Sequence, residues 1–211
     1  MKTVKPIPYE ETKPFLLNIH YAKRMPMIQY AYGLFDEERL IGVVTYGQPA
    51  TPSISKGIGG EKYKKRVLEL NRLCLLPQYN GKNNASKLIG RSLRLLPKDY
   101  FIVSYSDTAM GHIGYVYQAT NWLYTGMTKA RTDMRNKNGK HPRHYEKGEQ
   151  IRVERSAKHR YVYMTGDKRK QIKSLQWATY PYPKGNSVRY NIEHPMVNVL
   201  KEKSLSILET L

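Results

Sequence analysis

The chain has one cysteine in 211 residues. A single thiol excludes an internal disulfide framework, which suits a reducing compartment. Cys74 lies in the apolar run Leu73-Cys74-Leu75-Leu76, where a buried small side chain is expected rather than a nucleophile or metal ligand. Long apolar runs are missing too: nothing approaches the roughly 18 residues of a membrane span. Lys2 and Lys5 are not followed by the apolar core of a secretion signal. These absences lead to the expectation of a cytoplasmic protein without membrane attachment. Acidic side chains are also scarce, 17 Asp and Glu against 36 Lys and Arg, for a formal charge of +19. That excess goes beyond what solubility needs and repels itself unless an anion neutralises it, so nucleic acid is the first candidate partner.

Hydrophobic residues make up 40 % of the chain, enough for a core and inconsistent with global disorder. The length fits one domain with an appendage. No repeat of fixed period is present.

Phe15, Leu16, Ile19 and Tyr21 recur at helical spacing within residues 10–24, with Pro14 expected near the first turn. Strands are expected at Met27–Phe35 and Leu40–Tyr46, joined as a hairpin by the polar Asp36–Arg39. Gln48–Lys65 is rich in Gly, Ser, Pro and Lys and reads as a surface loop. Two strand-loop-helix units follow. The first runs from a strand at 66–76, through the loop Tyr79–Ser86, to a helix carrying Leu88, Ile89, Leu93, Leu95 and Leu96. The second has a strand at Tyr100–Ser106, a loop at Asp107–Gly111 and a helix over 112–124.

From Lys129 the chain turns basic, through Arg131, Arg135, Arg152, Arg155, Lys158 and Arg160 to Lys168–Lys173. His141, His144, Tyr145, Tyr161 and Tyr163 interleave with these cations. Cations neutralise phosphates and aromatic faces stack on exposed bases, so this pattern suits a nucleic-acid surface. The alternation of Tyr161 and Tyr163 around Val162 equally suits a sheet core. Residues 186–211 end in a segment that reads as a short helix after Pro195.

This order of elements specifies an α/β domain with a mixed central sheet flanked by helices. It resembles the GNAT-like (acyl-CoA N-acyltransferase-like) fold, in which a central strand splays from its neighbour. The loop after that strand offers backbone N–H groups and a helix dipole to an anionic acyl carrier. On this reading residues 1–165 form the GNAT-like catalytic domain, and 166–211 a basic, irregular C-terminal extension packing on it. The loop departs from the Q/R-x-x-G-x-G/A pattern of coenzyme A users, which leaves the donor open between an acyl-CoA-like and an aminoacyl species.

A more specific resemblance is carried by Ile102-Val103-Ser104-Tyr105-Ser106-Asp107, Gly111-His112-Ile113-Gly114 and Tyr117-Gln118-Ala119-Thr120-Asn121-Trp122. Upstream, Glu69-Leu70-Asn71-Arg72-Leu73, Ala85-Ser86 and His20-Tyr21-Ala22-Lys23-Arg24 follow the same order. Together these blocks resemble the Mom family of phage DNA-modification proteins over about residues 18–132. The resemblance implies a transferase that adds a carbamoylmethyl (acetamido-type) group to adenine N6 of double-stranded phage DNA inside the host cell. Adenine N6 donates a hydrogen bond in the major groove, so a substituent there blocks readout by restriction enzymes.

Within these blocks Asp107 is expected as base or amine-orienting group, although Asp also caps helices. Tyr117 is expected as proton donor to the leaving group, Ser86 as a donor-binding hydroxyl and Arg72 as a fork for an anion. His20, Tyr21, Lys23, Arg24, His112, Trp122, Arg131 and Arg135 are expected at the substrate and DNA surface. Trp122, Tyr117 and the tyrosines near residue 161 are candidates to stack on a flipped base. Iron is implied as a candidate cofactor by the resemblance, with His141, His144 and His159 as the histidines to examine. A charged tRNA as donor carrier and a homodimer remain open. The rival readings are a GNAT acetyltransferase acting on RNA or protein amines, and a DNA-binding protein without chemistry.

Overall fold

The structure, a computed structural model, describes residues 1–81, 83–136 and 150–185. Thr3–Pro6 forms an edge strand, β1. Tyr9–Lys13 is a short helix, α1, which widens into a π-helical turn over Pro14–Ile19. Pro14 has no N–H to give to an α ladder, and the wider ladder closes with the His20 amide donating to the Phe15 carbonyl at 2.8 Å. The helix expected through residue 24 therefore stops at Ile19, and His20 continues in extended conformation. Tyr30–Asp36 (β2) and Arg39–Gly47 (β3) make the expected hairpin, with Glu37 at φ 55° in its turn.

The stretch Gln48–Lys65 is not a loop, as its composition suggests, but holds a helix, α2, at Pro52–Tyr63. Pro52 takes the first helical turn, where its missing N–H costs nothing. Ile58 and Tyr63 bury against Val67 and Phe101. The glycines that argued for a loop serve packing: a Cβ on Gly59 would lie 2.7 Å from the Phe101 ring, and Gly60 takes φ 68° at a kink.

Val67–Leu75 (β4) pairs antiparallel with β3. The helix Asn84–Leu95 (α3) then crosses to Phe101–Asp107 (β5), which runs parallel to β4. Leu88, Ile89 and Leu93 of α3 pack on Leu68, Leu70 and Ile102, while α2 covers the opposite face through Val67, Phe101 and Val103. Alternating side chains of β4 and β5 thus serve two helical layers.

The helix expected over 112–124 shrinks to one turn, Tyr115–Gln118 (α4). Asn121, at φ 59°, ends it, and the aromatic and β-branched run Leu123–Met127 becomes a strand, β6. Next comes a separate two-stranded ribbon, Arg131–Asn136 (β7) with Gln150–Arg155 (β8). Lys158–Met164 (β9) then returns to the main sheet between β5 and β6. The sheet order is β1-β2-β3-β4-β5-β9-β6, a mixed sheet flanked by helices as the order of elements specifies. Lys168–Ile172 (α5) follows, capped by the Asp167 carboxylate. Residues 173–185 then cross the molecule as a strap. The Gln176 amide reaches the Ile58 carbonyl at 2.8 Å, Tyr180 bridges to Tyr124, and the Tyr182 hydroxyl donates to the Trp122 carbonyl at 2.7 Å. Residues 186–211, with the segment after Pro195, lie outside the described residues.

Candidate active site

β4 and β5 stay paired only from Val67 to Glu69 against Phe101 to Val103. Beyond that point they part, and the site forms in the opening. The β3–β4 register slips at the same level: Thr45 faces Arg72 and Tyr46 faces Leu70, so Asn71 is the extra residue of a β-bulge. Its side chain accepts from Thr45 Oγ1 at 2.6 Å and donates to the Met27 carbonyl at 2.9 Å. The Asn71 carbonyl accepts from the Arg72 guanidinium at 2.6 Å. The bulge thereby anchors Arg72 where the strands part. Its Nε is buried without a hydrogen-bond partner among the described residues.

A cleft of about 640 Å³ lies between Leu70–Leu75 of β4 and Ser104–Asp107 of β5. The loop before α3, the N-terminal part of α4 and the residues after the π turn complete its walls. His20 and Tyr21 stack there with ring centroids 4.4 Å apart. His20 Nδ1 accepts from the Ala22 amide at 3.0 Å, which puts the imidazole proton on Nε2. Burial, with Arg72 and His112 adding, pushes its pKa down to about 3, so the ring is neutral at ordinary pH. Burial likewise lowers His112, partly offset by Asp107.

A second cleft, about 1100 Å³, opens between the Arg24–Gln29 loop, α2 and β4. Arg24, Lys56, Lys64 and Lys65 line it together with Glu61, which pairs with Lys56 at 2.7 Å and Lys64 at 2.6 Å; Glu69 is among the wall residues, and the cleft shares Asn71 and Arg72 with the first. Burial raises the Glu69 carboxyl above its ordinary value, while an Ala50 backbone bond, Arg72 and Lys158 pull it back. Arg72 therefore stands at the junction of two clefts, with the Glu69 carboxyl on the wall of the second. No catalytic role for Glu69 is legible in the Glu69–Leu73 block; a lone Glu inside a Val/Leu-rich strand is the available signal.

His20, Tyr21, Arg72, Ser86, Asp107, His112 and Tyr117 come together on the first cleft, and Arg24 lies on the second. The Tyr117 hydroxyl is bonded to Ser104 Oγ at 2.8 Å, and its pKa is raised chiefly by burial, so it stays protonated. Ser86 donates to the Asn83 carbonyl at 3.0 Å in the first turn of α3.

Asp107 is more engaged than a free base would be. Its Oδ1 accepts from the Ala109 amide and the Ser156 hydroxyl, and its Oδ2 faces Lys158 Nζ at 2.7 Å. Burial would raise its pKa, but Lys158 and Ser156 hold it below the usual aspartate value.

Trp122 does not reach the cleft. It is fully buried, packed on Tyr117 and Tyr163, and cannot stack on a base without leaving the core. Tyr161 is also fully buried, its hydroxyl donating to the Ile113 carbonyl at 2.6 Å. Lys23 is exposed at φ 40° on the loop after His20. Arg131 and Arg135 belong to the β7–β8 ribbon.

An anionic carrier fits the start of α3. The first turn has no acidic residue, Asn83 enters it at φ 59°, and Lys2 Nζ donates to Asn84 Oδ1 at 3.0 Å. A metal finds no such preparation: among the described residues no group of three or more His, Cys, Asp or Glu is placed to hold one. His159 Nδ1 is bonded to the Tyr124 hydroxyl at 3.0 Å, and His141 and His144 lie outside the described residues. No helix among the described residues is long and apolar enough to cross a membrane.

Solved structures of acetyltransferases resemble the chain at low sequence identity. An N-acetyltransferase from Staphylococcus aureus has 13 % identity and TM-score 0.47, covering 78 % of this chain and 99 % of that one. NAA60 of Arabidopsis thaliana has 13 % identity and TM-score 0.49, with coverage of 79 % and 99 %. A sequence relative is the methylcarbamoylase Mom of Escherichia phage Mu, 30 % identical over 112 residues. That match covers 51 % of this chain and 46 % of the phage Mu protein, so the chain spans about half the length of this relative. The model of the Mom protein family matches residues 2–184, nearly the whole of what is described above, and the chain belongs to that family.

Proposed function

We propose that this protein is a transferase that modifies phage DNA, adding a small carbamoylmethyl or acetamido-type group to adenine N6 and so protecting the DNA from host restriction. The observation that carries the reading is Arg72, a guanidinium fixed by a β-bulge at the junction of two clefts, with an unpartnered buried Nε. One cleft has a helix N-terminus suited to an anionic donor, and the other has a basic mouth suited to a polynucleotide.

The donor, an acyl-CoA-like or aminoacyl species, supplies the electrophilic carbon when bound. The N–H groups at the start of α3 and Ser86 hold its anionic portion. Arg72 turns its free N–H toward the polar group next to the reacting carbon, where developing negative charge is stabilised. His20, neutral and with its proton on Nε2, is a second donor of the same kind. Adenine N6 forms the new N–C bond at the carbon that carries the carrier, and the bond from that carbon to the carrier breaks: on a thioester or ester this is the acyl carbon and the product is an N6-amide, whereas a carbamoylmethyl product requires the carrier on the methylene carbon of a –CH2–C(O)NH2 unit. Glu69, its pKa raised by burial, accepts the N6 proton. Tyr117 remains protonated and gives its hydroxyl proton to the departing carrier atom. Asp107 is less suited to be the base: Ala109 and Ser156 engage one of its oxygens and Lys158 the other, and they hold its carboxyl below the usual aspartate value.

Mass spectrometry of nucleosides from DNA of cells expressing the wild type and Arg72→Ala tests this. A new adenosine species, absent in the variant, supports the reading, and its mass gives the group added. Unmodified DNA alongside acetylated RNA or protein amines would replace it with the acetyltransferase reading. Unmodified DNA alone would leave a DNA-binding protein.

A further inference from the structure

The β7–β8 ribbon is not part of the main sheet. It leaves between β6 and β9 and carries no side chain assigned above to the transfer. Within 129–136 and 150–158 there are six cations, Lys129, Arg131, Arg135, Arg152, Arg155 and Lys158, against two acids, Asp133 and Glu154. Arg131 and Arg152 are exposed, and both Met134 and Ile151 are more than 40 % exposed. The ribbon therefore contributes little core.

Its register is unfavourable for an isolated hairpin. Arg131 faces Arg155 directly across the two strands, a like-charge pair that costs stability unless an anion lies against it. Asp133 relieves part of this by pairing with Arg155 at 2.8 Å. The ribbon's root, in contrast, is rigidly tied to the site. Lys158 and Ser156 both bond to Asp107, and Thr108 Oγ1 donates to the Ala157 carbonyl at 2.7 Å. Asp107 itself lines the first cleft. The arm thus starts at the rim of the transfer site and is held there by a carboxylate.

We propose that the β7–β8 ribbon is the arm that enters the major groove of duplex DNA, and that Asp107 is a positioning residue that sets its angle to the cleft. The inference rests on DNA being the substrate. Two strands about 4.8 Å apart, reaching about 20 Å over six residues, match a groove about 12 Å wide. Adenine N6 lies in that groove, so an arm seated there brings its root, beside the first cleft, and Arg72, where that cleft meets the second, to the edge of the base that is modified. A phosphate between Arg131 and Arg155 neutralises the like-charge pair.

The test is equilibrium binding of a labelled 20-bp duplex by fluorescence anisotropy across a salt series, which needs no turnover and so stands apart from the transferase assay. Arg131→Gln/Arg152→Gln is expected to weaken binding about tenfold and to reduce the salt slope by about two, near 0.9 per lost phosphate contact. Methyl green, a major-groove ligand, is expected to displace the protein, and the minor-groove ligand distamycin to leave it bound. Asp107→Asn is expected to weaken binding with an unchanged slope, because it misdirects the arm without removing a phosphate contact. Thermal unfolding of each variant checks that the fold persists. A double variant that keeps wild-type affinity and slope, or displacement by distamycin alone, overturns the groove assignment. Wild-type affinity in Asp107→Asn overturns the positioning role. DNA modification without any of these binding effects would leave the transferase reading standing and remove this one.

Discussion

Asp107 and Lys158 face each other in the β5–β9 register, with the carboxylate and ammonium 2.7 Å apart and the Asp107 side chain only 15 % exposed. The pair joins the end of the strand that forms one wall of the cleft to the root of the basic ribbon. A residue expected as catalyst thus joins two parts of the molecule.

Acid should weaken this joint. The folded pKa of Asp107 lies below its ordinary 3.8, so the stabilisation is complete above about pH 5 and is lost as pH falls through the folded value. Thermal unfolding followed from pH 6 to pH 2.5 should show Asp107→Asn about 1–2 kcal/mol less stable than wild type at neutral pH, converging with it at the acid end. A constant gap across the range would mean the pair contributes nothing through its charge.

Glu69 should set the acid limb of the rate. Burial raises its pKa above the ordinary 4.5, so kcat should rise with pH through a value above 4.5 and level off once the carboxylate forms. Glu69→Gln is expected to lower kcat about 100-fold or more and to abolish that limb, with KM nearly unchanged. His20 titrates near 3, so His20→Asn should lower the rate but leave the limb where it is. The readout is the pH profile of adenine modification in purified duplex.

Arg72→Lys keeps the charge and loses the fork. A lysine at the bulge cannot both bond to the Asn71 carbonyl and present the fixed Nε–H to a ligand. We expect kcat/KM to fall about 100-fold, equivalent to ~2.7 kcal/mol of transition-state stabilisation. A lysine variant within threefold of wild type in single-turnover assays would show that charge alone suffices at this position.

Trp122→Ala should unfold the protein rather than disarm it. The indole is fully buried between Tyr117 and Tyr163, and truncating a buried Trp costs about 3–5 kcal/mol. Denaturant melts should show that loss, while Trp122→Phe should recover most of the stability and normal DNA affinity. A loss of affinity in a stable Phe variant would return the indole to the nucleic-acid surface.

The strand-loop-helix units of β4, α3 and β5 were legible because apolar periodicity and polar interruptions agree there. α2 was not, because Gly57, Gly59 and Gly60 mimic a loop, and their purpose is visible only when Phe101 is seen against Gly59. The helix expected over 112–124 failed where Asn121 takes a left-handed conformation and the next residues pair with β9, a long-range contact outvoting local spacing. The cluster of His20, Tyr21, Arg72, Ser86, Asp107, His112 and Tyr117 was found through family resemblance and not through spacing. The roles proposed for Asp107 and Glu69 rest on something no spacing contains: Ala109, Ser156 and Lys158 engage the oxygens of one carboxylate, while for the other burial outweighs its bond to Ala50.

β6 is the outer strand of the sheet on that side, and Tyr180 of the strap pairs with Tyr124 on it, their amide and carbonyl 2.9 Å apart. An uncovered strand edge is a template for pairing with another copy of the chain. By laying Tyr180 and Tyr182 against this side, the protein covers part of an adhesive border with its own chain. Cutting the chain before Gln176 would then cost solubility before it cost secondary structure, and truncated molecules would associate edge to edge.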